Sequence, residues 1–356
     1  MSDEERYLAI SPGAIVPEAL PDFRIYIRSS GRYVLWAREG NKVSSDQLAK
    51  LAEGGLKEVF VDLKDQIKYE QYIEESLGSI LENQWASGDQ KATIFSSVSA
   101  NVVKNAFESS LGLGTMSAEV MARTQRMVKN SLIFISESKS LQALAKMIGH
   151  DYQTYEHATK VLWFTVSFLR NCPEILELIQ PGYQNLKEEK KKEVVRQCGV
   201  GAILHDIGKT FVPVEILRKE GSLTEVEWEV MKRHPLNGLS ALLDTDLPMF
   251  VKKGILQHHE DFNGGGYPMG LAGMNIHVLA RVLRIIDTFD AMTSRRPYKA
   301  SVSPRETVKI MCGKPVGNGG QEDPEQDDRD QGMKRCFDEE LLRKFILFLG
   351  NVKLDQ

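Results

Sequence analysis

The apolar run from Cys198 to Leu204 ends in His205-Asp206. A run of this composition suits a buried helix. A buried helix rarely closes on two adjacent ionisable side chains, because unpaired charge in a core is expensive. A bound cation would satisfy them. Imidazole nitrogen with carboxylate oxygen suits zinc, iron or manganese, and one His–Asp pair can hold one ion or bridge two. The dipeptide alone is not specific, but the histidine inventory narrows the reading. The chain has seven histidines: His150, His157, His205, His234, His258, His259 and His277. His157, His205, His234, His258 and His259 stand in contexts that can converge on one site.

The 356 residues suffice for two domains, each with its own core. A net charge of −4 argues against a broad nucleic-acid surface, so neither DNA nor RNA is an expected partner. Local basic residues can still meet a small phosphate ligand. Cys172, Cys198, Cys312 and Cys336 are scattered without C-x-x-C spacing, as free thiols in a reducing compartment would be. The start is acidic and lacks the apolar core of a signal peptide. No run of about 20 apolar residues is present, so no membrane span is expected. The expectation is a soluble, cytoplasmic protein.

Residues 23–28 alternate apolar and polar like a half-buried strand, Ser29-Ser30-Gly31 reads as a turn, and Tyr33 to Arg38 completes a hairpin. Ser44 with Gln47 reads as a capping box opening a helix through Leu51, which Gly54-Gly55 ends. Val59 to Val61 forms another strand. Residues 1–65 thus read as a small α/β regulatory module without histidine, cysteine or a glycine-rich phosphate loop. Arg24, Arg28, Arg32 and Arg38 read as the solvated face of the hairpin rather than an anion site. The pattern turns helical from Gln66 to Ser109, Gly112-Leu-Gly114 interrupts it, and Thr115 or Ser117 caps the next helix. Val120, Met121, Met127, Val128, Leu132 and Ile133 keep helical spacing, as core or as a dimer seam. Residues 66–140 are read as a helical linker.

From residue 141 to 356 the chain reads as a mainly α-helical domain. One helix, Tyr155 to Leu169, carries His157. Lys187 to Lys192 is a solvated helix face or helix start. After His205-Asp206 and an irregular connection at Phe211 to Val214, Thr224 and Glu227 make a capping box for a helix with His234 in its C-terminal part. A further helix ends in Gln257-His258-His259-Glu260. Asn263 to Pro268 must be a loop. Ala280 to Met292 is helical, with Asp287 and Asp290 one turn apart. Residues 313–334 read as a surface excursion, and Phe337 to Leu349 closes the domain.

In this order, His157, His205-Asp206, Lys209, His234, His258-His259, Gly266-Tyr267-Pro268 and Asp287 resemble the HD-GYP family. These are metal-dependent phosphodiesterases of the HD superfamily that hydrolyse the bacterial second messenger cyclic di-GMP. The likeness covers about residues 141–349 and extends to Ile207-Gly-Lys, Leu223-Thr, His234-Pro, His259-Glu, Pro268-x-Gly-Leu and Arg296-Pro-Tyr-Lys. More weakly, Gln47 to Leu63 resembles the small domain that precedes one subgroup. The resemblance implies an all-helical HD domain that opens the substrate to linear pGpG, or on to GMP. The attacking hydroxide would be shared by two metal ions about 3.5–4 Å apart.

The resemblance places His157, His205, Asp206 and Asp287 around one ion. Asp206 would bridge to a second ion held by His234, His258 and His259. Neutral histidines with carboxylates suit iron(II) or manganese better than calcium or magnesium; the family makes iron the first choice, and the ligand set leaves zinc open. Lys209 would touch the scissile phosphate or the bridging hydroxide, and Arg296 and Lys299 would clamp the phosphates. Gly264 to Gly266 would allow close backbone approach, and Tyr267 with Pro268 would shape the loop. The plain alternatives are a helix-end charge for Lys209, solvated surface for Arg296 and Lys299, and a structural ring for Tyr267. Gln153 stands where some members carry a third-metal Glu, so two metals are expected. Asn263 replaces a common Asp. His150 and His277 fall outside the pattern, and Asp290 reads as supporting or capping rather than ligating.

Two other readings compete. One is a catalytically weak cyclic-dinucleotide-binding module that keeps its metals. The other is different HD chemistry, such as nucleotide phosphohydrolysis or diiron oxygenation. The Gly-Tyr-Pro loop with Arg296-Pro-Tyr-Lys favours the cyclic dinucleotide. A signalling protein or a second copy could dock through the N-terminal module or linker helices.

Overall fold

The computed structural model describes residues 6–19, 21–53, 56, 58–83, 86–110, 115–135, 154–294, 301–313 and 333–352. The expected Gly54-Gly55 stop, the Gly112–Gly114 break, His150, Gln153, Arg296, Lys299 and nearly all of the 313–334 excursion lie outside them. The chain divides into two units, Met1–Ser99 and Ala100–Gln356.

In the first unit, the alternation near residue 25 becomes strand β2 (Ile25–Ser29), paired antiparallel with β3 (Arg32–Ala37). The turn between them places Ser30 and Gly31 at positive φ, 48° and 75°, as a two-residue hairpin turn requires. β4 (Val59–Asp62) is buried throughout and lies between β2 and β1 (Tyr7–Ile10), giving the order β1-β4-β2-β3. Sequence reasoning missed β1, because Tyr-Leu-Ala-Ile has no polar alternation to mark it. Ser44 and Gln47 cap α1 (Ser45–Glu53) reciprocally, at 2.9 and 3.3 Å. Then come α2 (Gln66–Glu75), α3 (Leu77–Glu82) and α4 (Gly88–Ser110), which runs across the division between units. Arg24, Arg28, Arg32 and Arg38 are all exposed.

The second unit is helical. α5 (Ala118–Ile135), α6 (Thr154–Asn171) and α7 (Pro173–Ile179) precede α8 (Glu188–Leu204). α8 begins in the charged run and ends wholly buried, from Gln197 to Leu204. It packs closely: a Cβ on Gly199 would come within 2.9 Å of both Leu162 on α6 and Val128 on α5. Asp206 then leads into a 3-10 turn, Ile207–Phe211, followed by α9 (Val214–Leu217) and α10 (Glu225–Met231). Next come α11 (His234–Ala241), α12 (Met249–Gln257), α13 (Val278–Thr293), α14 (Pro304–Met311) and α15 (Glu339–Val352). Phe164, Phe168, Phe289, Phe345 and Phe348 form an aromatic core, with edge contacts such as Phe168–Phe345 at 5.4 Å.

One expectation is corrected. His234 does not close the helix that Thr224 caps; that helix stops at Met231 and His234 opens the next. Pro235 lacks an N–H and its ring crowds the preceding turn, so it is accommodated at the start of a helix. Among the described residues, no helix is long and apolar enough to cross a membrane.

Candidate metal centre

The last buried turn of α8 delivers His205 and Asp206 into the core of the second unit. The chain then turns sharply, and Gly208 makes the turn feasible. A Cβ there would lie 1.9 Å from the His234 carbonyl oxygen. The absence of that Cβ lets the 3-10 turn press against the first turn of α11 and brings His234 to Asp206.

All seven expected ligands meet in one cluster, in two groups whose ligand atoms lie within 4.8 Å of one another: Asp206, His234, His258 and His259; and His157, His205 and Asp287. Asp206 faces both. Its Oδ2 lies 3.5 Å from His205 Nε2 and 3.8 Å from His157 Nε2. Its Oδ1 lies 3.3 Å from His234 Nε2 and 3.9 Å from His258 Nε2. Asp287 Oδ1 is 3.1 Å from His157 Nε2, and its Oδ2 is 3.9 Å from His259 Nδ1.

Four of the five rings are oriented from behind. The Nδ1–H groups of His205, His234 and His258 donate to the carbonyls of Ala202, Met231 and Ile255 at 2.7, 2.9 and 2.6 Å. A carbonyl only accepts, so this fixes the tautomer and leaves each Nε2 with its lone pair towards the centre. His157 Nδ1 is held by Asp290 Oδ2 at 2.7 Å. Asp290 also accepts from Ser294 Oγ at 3.2 Å, and Ser294 Oγ receives the buried Lys160 ammonium at 2.9 Å.

This donor set fits divalent metal. His234 Nε2 and His258 Nε2 are 3.2 Å apart, two lone pairs facing each other beside a carboxylate. The buried His205 Nε2 has no hydrogen-bond partner among the described residues. Protonation does not relieve this. Burial, reinforced by neighbouring imidazoles, holds His258 and His259 well below the usual histidine range. Burial alone would push Asp206 up, but Lys209, His205 and His234 outweigh it and hold the carboxyl well below its usual range. Asp287 is likewise ionised, with His157 and His259 overcoming burial. Neutral imidazoles and charged carboxylates are the forms that ligate.

Lys209 donates to Asp206 Oδ2 at 2.6 Å. Gly266 passes so close to the backbone that a Cβ would lie 2.2 Å from Asp261 N and 2.4 Å from His259 O. Tyr267 N–H donates to the His259 carbonyl at 3.0 Å, the Tyr267 ring stacks on His259 at 4.8 Å, and the Tyr267–Pro268 bond is cis. Asn263 Oδ1 accepts from Gly265 N at 3.0 Å, a role that an aspartate would also fill. His277 stands apart as the N-cap of α13.

Glu260, Lys160 and Trp228 were given no role from the sequence. Buried Glu260 accepts from Met269 N at 2.7 Å and Leu271 N at 2.8 Å, and so ties down the far side of the Gly-Tyr-Pro loop. Its place directly after His258-His259 was the available signal. Lys160, one turn after His157, gave a weaker one.

Residues 175–314 match the HD domain family. The chain is 30% identical over 291 residues to a cyclic di-GMP phosphodiesterase of Pseudomonas aeruginosa, covering 78% of this chain and 66% of the relative. It is 46% identical over 170 residues to a cyclic di-GMP phosphodiesterase response regulator of Xanthomonas campestris pv. campestris, covering 46% and 43%. A 3'3'-cGAMP-specific phosphodiesterase of Vibrio cholerae is 38% identical over 127 residues, covering 34% and 30%. The matched part therefore spans less than two thirds of each of these relatives. In fold, the chain is similar to an HDG"Y"P protein from Bdellovibrio bacteriovorus, with a TM-score of 0.60 at 17% identity over 97% of this chain and 99% of that one. His205, Asp206, His234, His258, His259, Asp287 and the Gly-Tyr-Pro loop all lie within residues 175–314, the stretch of this chain that matches the HD domain family.

Proposed function

We propose that this chain is a metal-dependent phosphodiesterase that hydrolyses cyclic di-GMP to linear pGpG, and on to GMP. The observation that carries the reading is Asp206, whose two carboxylate oxygens face separate groups of metal-competent side chains. Two divalent ions held there would neutralise phosphate charge and supply a strong nucleophile from water at neutral pH. Iron is the first choice and manganese the second, with zinc compatible with the same ligands.

The residues divide the work. His157, His205 and Asp287 form one group, His234, His258 and His259 the other, and Asp206 serves both. Lys209 neutralises Asp206 and is placed to move its ammonium to a phosphoryl oxygen when substrate arrives. Gly266 and Tyr267 form the wall beside His259, and Arg296 and Lys299 would hold the phosphates. Burial raises the Tyr267 hydroxyl, so it remains a neutral donor. Relatives named for cyclic di-GMP and for 3'3'-cGAMP both support a cyclic dinucleotide; cyclic di-GMP is preferred because the longer alignments carry that name. The weak binding-module alternative is not favoured, since those relatives carry phosphodiesterase names.

We assign residues 1–65 to a regulatory module, 66–140 to a linker and 141–356 to the phosphodiesterase domain. A second copy or a signalling partner would dock through the first two. A cytoplasmic location fits the free cysteines.

Anaerobic purification, elemental analysis and chromatography of cyclic di-GMP products test the proposal. The expected result is about two iron or manganese ions per chain, with turnover abolished in His205→Ala and Asp206→Ala. Protein that takes up no metal would sink it.

A further inference from the structure

Trp228 lies outside the ligand cluster but within reach of it. It sits on α10 and is 44% exposed, a large aromatic surface left in water. Its ring meets Tyr267 edge-on, with centroids 5.9 Å apart and planes at 80°. Tyr267 stacks on His259 at 4.8 Å and 30°, and His259 belongs to the Asp206 group. Two ring contacts thus connect the centre to an exposed indole. The helix beneath Trp228 is anchored at its start. Thr224 and Glu227 complete the capping box, and Lys219 pairs with Glu227. The indole is therefore carried on a fixed platform.

A cyclic dinucleotide places a purine on either side of each phosphate. With one phosphate at the metal centre beside Lys209, a flanking base must leave the polar centre and meet the wall around it. Every base has a π-face, and aromatic side chains bind it by stacking without reading its edge. We infer that Trp228 is the stacking platform for one purine of the substrate, beside Tyr267. This role rests on the cyclic-dinucleotide reading of the metal centre. It also carries a consequence for specificity: stacking supplies affinity but does not discriminate guanine from adenine.

The test is steady-state kinetics of the full-length, metal-loaded protein with cyclic di-GMP and with 3'3'-cGAMP. Trp228→Ala should raise KM about tenfold or more for each dinucleotide that is turned over, while kcat changes by less than about threefold. Trp228→Phe keeps a ring and should recover most of that loss; it also serves if the alanine variant folds poorly. Val226→Ala, at a 76% exposed position on the same helix, should keep the parent KM. Adding cyclic di-GMP should quench tryptophan emission in the parent, and the quenching should disappear in Trp228→Phe. A KM within about twofold of the parent in Trp228→Ala, or quenching that persists in Trp228→Phe, overturns the inference. A metal-loaded parent that turns over neither dinucleotide instead overturns the functional reading, and the quenching experiment then decides the base contact by itself.

Discussion

Asp290 was not expected to be a ligand, yet it determines how His157 presents itself. Its Oδ2 holds His157 Nδ1 at 2.7 Å, and Ser294 and Lys160 hold Asp290 in turn. A carboxylate behind an imidazole fixes the ring and raises its basicity, and loss of such partners typically costs 10–100-fold in metal affinity. Asp290→Asn should therefore weaken iron or manganese binding by about that factor, measured by metal titration under anaerobic conditions. Undiminished affinity would show that the packing of α6 against α13 orients His157 unaided. The sequence could show that Asp287 and Asp290 are one turn apart, but not which would face the cluster and which would stand behind His157. That distinction is made across a separation of 133 residues.

Helix α13 carries both of these aspartates, and its N-terminus is capped by an unusual residue. His277 Nδ1 accepts the Leu279 N–H at 3.2 Å, which only an unprotonated nitrogen can do. Burial, with Lys253 and Arg281 nearby, lowers His277 from 6.5 to about 4. A folded-state value below the unfolded one means that this contribution to stability is fully present above about pH 6.5 and declines as pH falls towards about 4. His277→Asn supplies an acceptor that does not titrate. Its stability, measured by denaturant unfolding at pH 5 and pH 7, should depend less on pH than that of the parent. An unchanged pH dependence would exclude His277 as its source. α10 and α11 illustrate the limits of reading elements from sequence. The Thr224–Glu227 box was legible because its residues are three apart, whereas the break before His234 depends on Pro235 and on Gly208 pressing against the His234 carbonyl.

At the scale of the whole chain, the cluster is a concentration of buried carboxylate and imidazole that metal binding should stabilise. Asp206 and Asp287 stay ionised although burial opposes it. A ligand that binds only the folded state adds about 2.7 kcal/mol at a hundredfold excess over its Kd. Iron(II) or manganese should accordingly raise the unfolding midpoint, and a chelator should reverse the gain; a midpoint insensitive to both would argue against a site formed only on folding. The sequence by itself determined which residues could be ligands and in what order they occur. Histidines beside carboxylates in apolar surroundings are chemically distinctive and are spaced locally. It also determined the helical character of the second unit and the hairpin of the first, which follow from short-range periodicity. Only the tertiary structure decided the rest: the pairing of β1 with β4, the two-sided placement of Asp206, the clamping of the loop by Glu260, and the exposure of Trp228 beside Tyr267. Each of these depends on contacts between segments distant in the chain, and local pattern carries no information about which distant segments will meet.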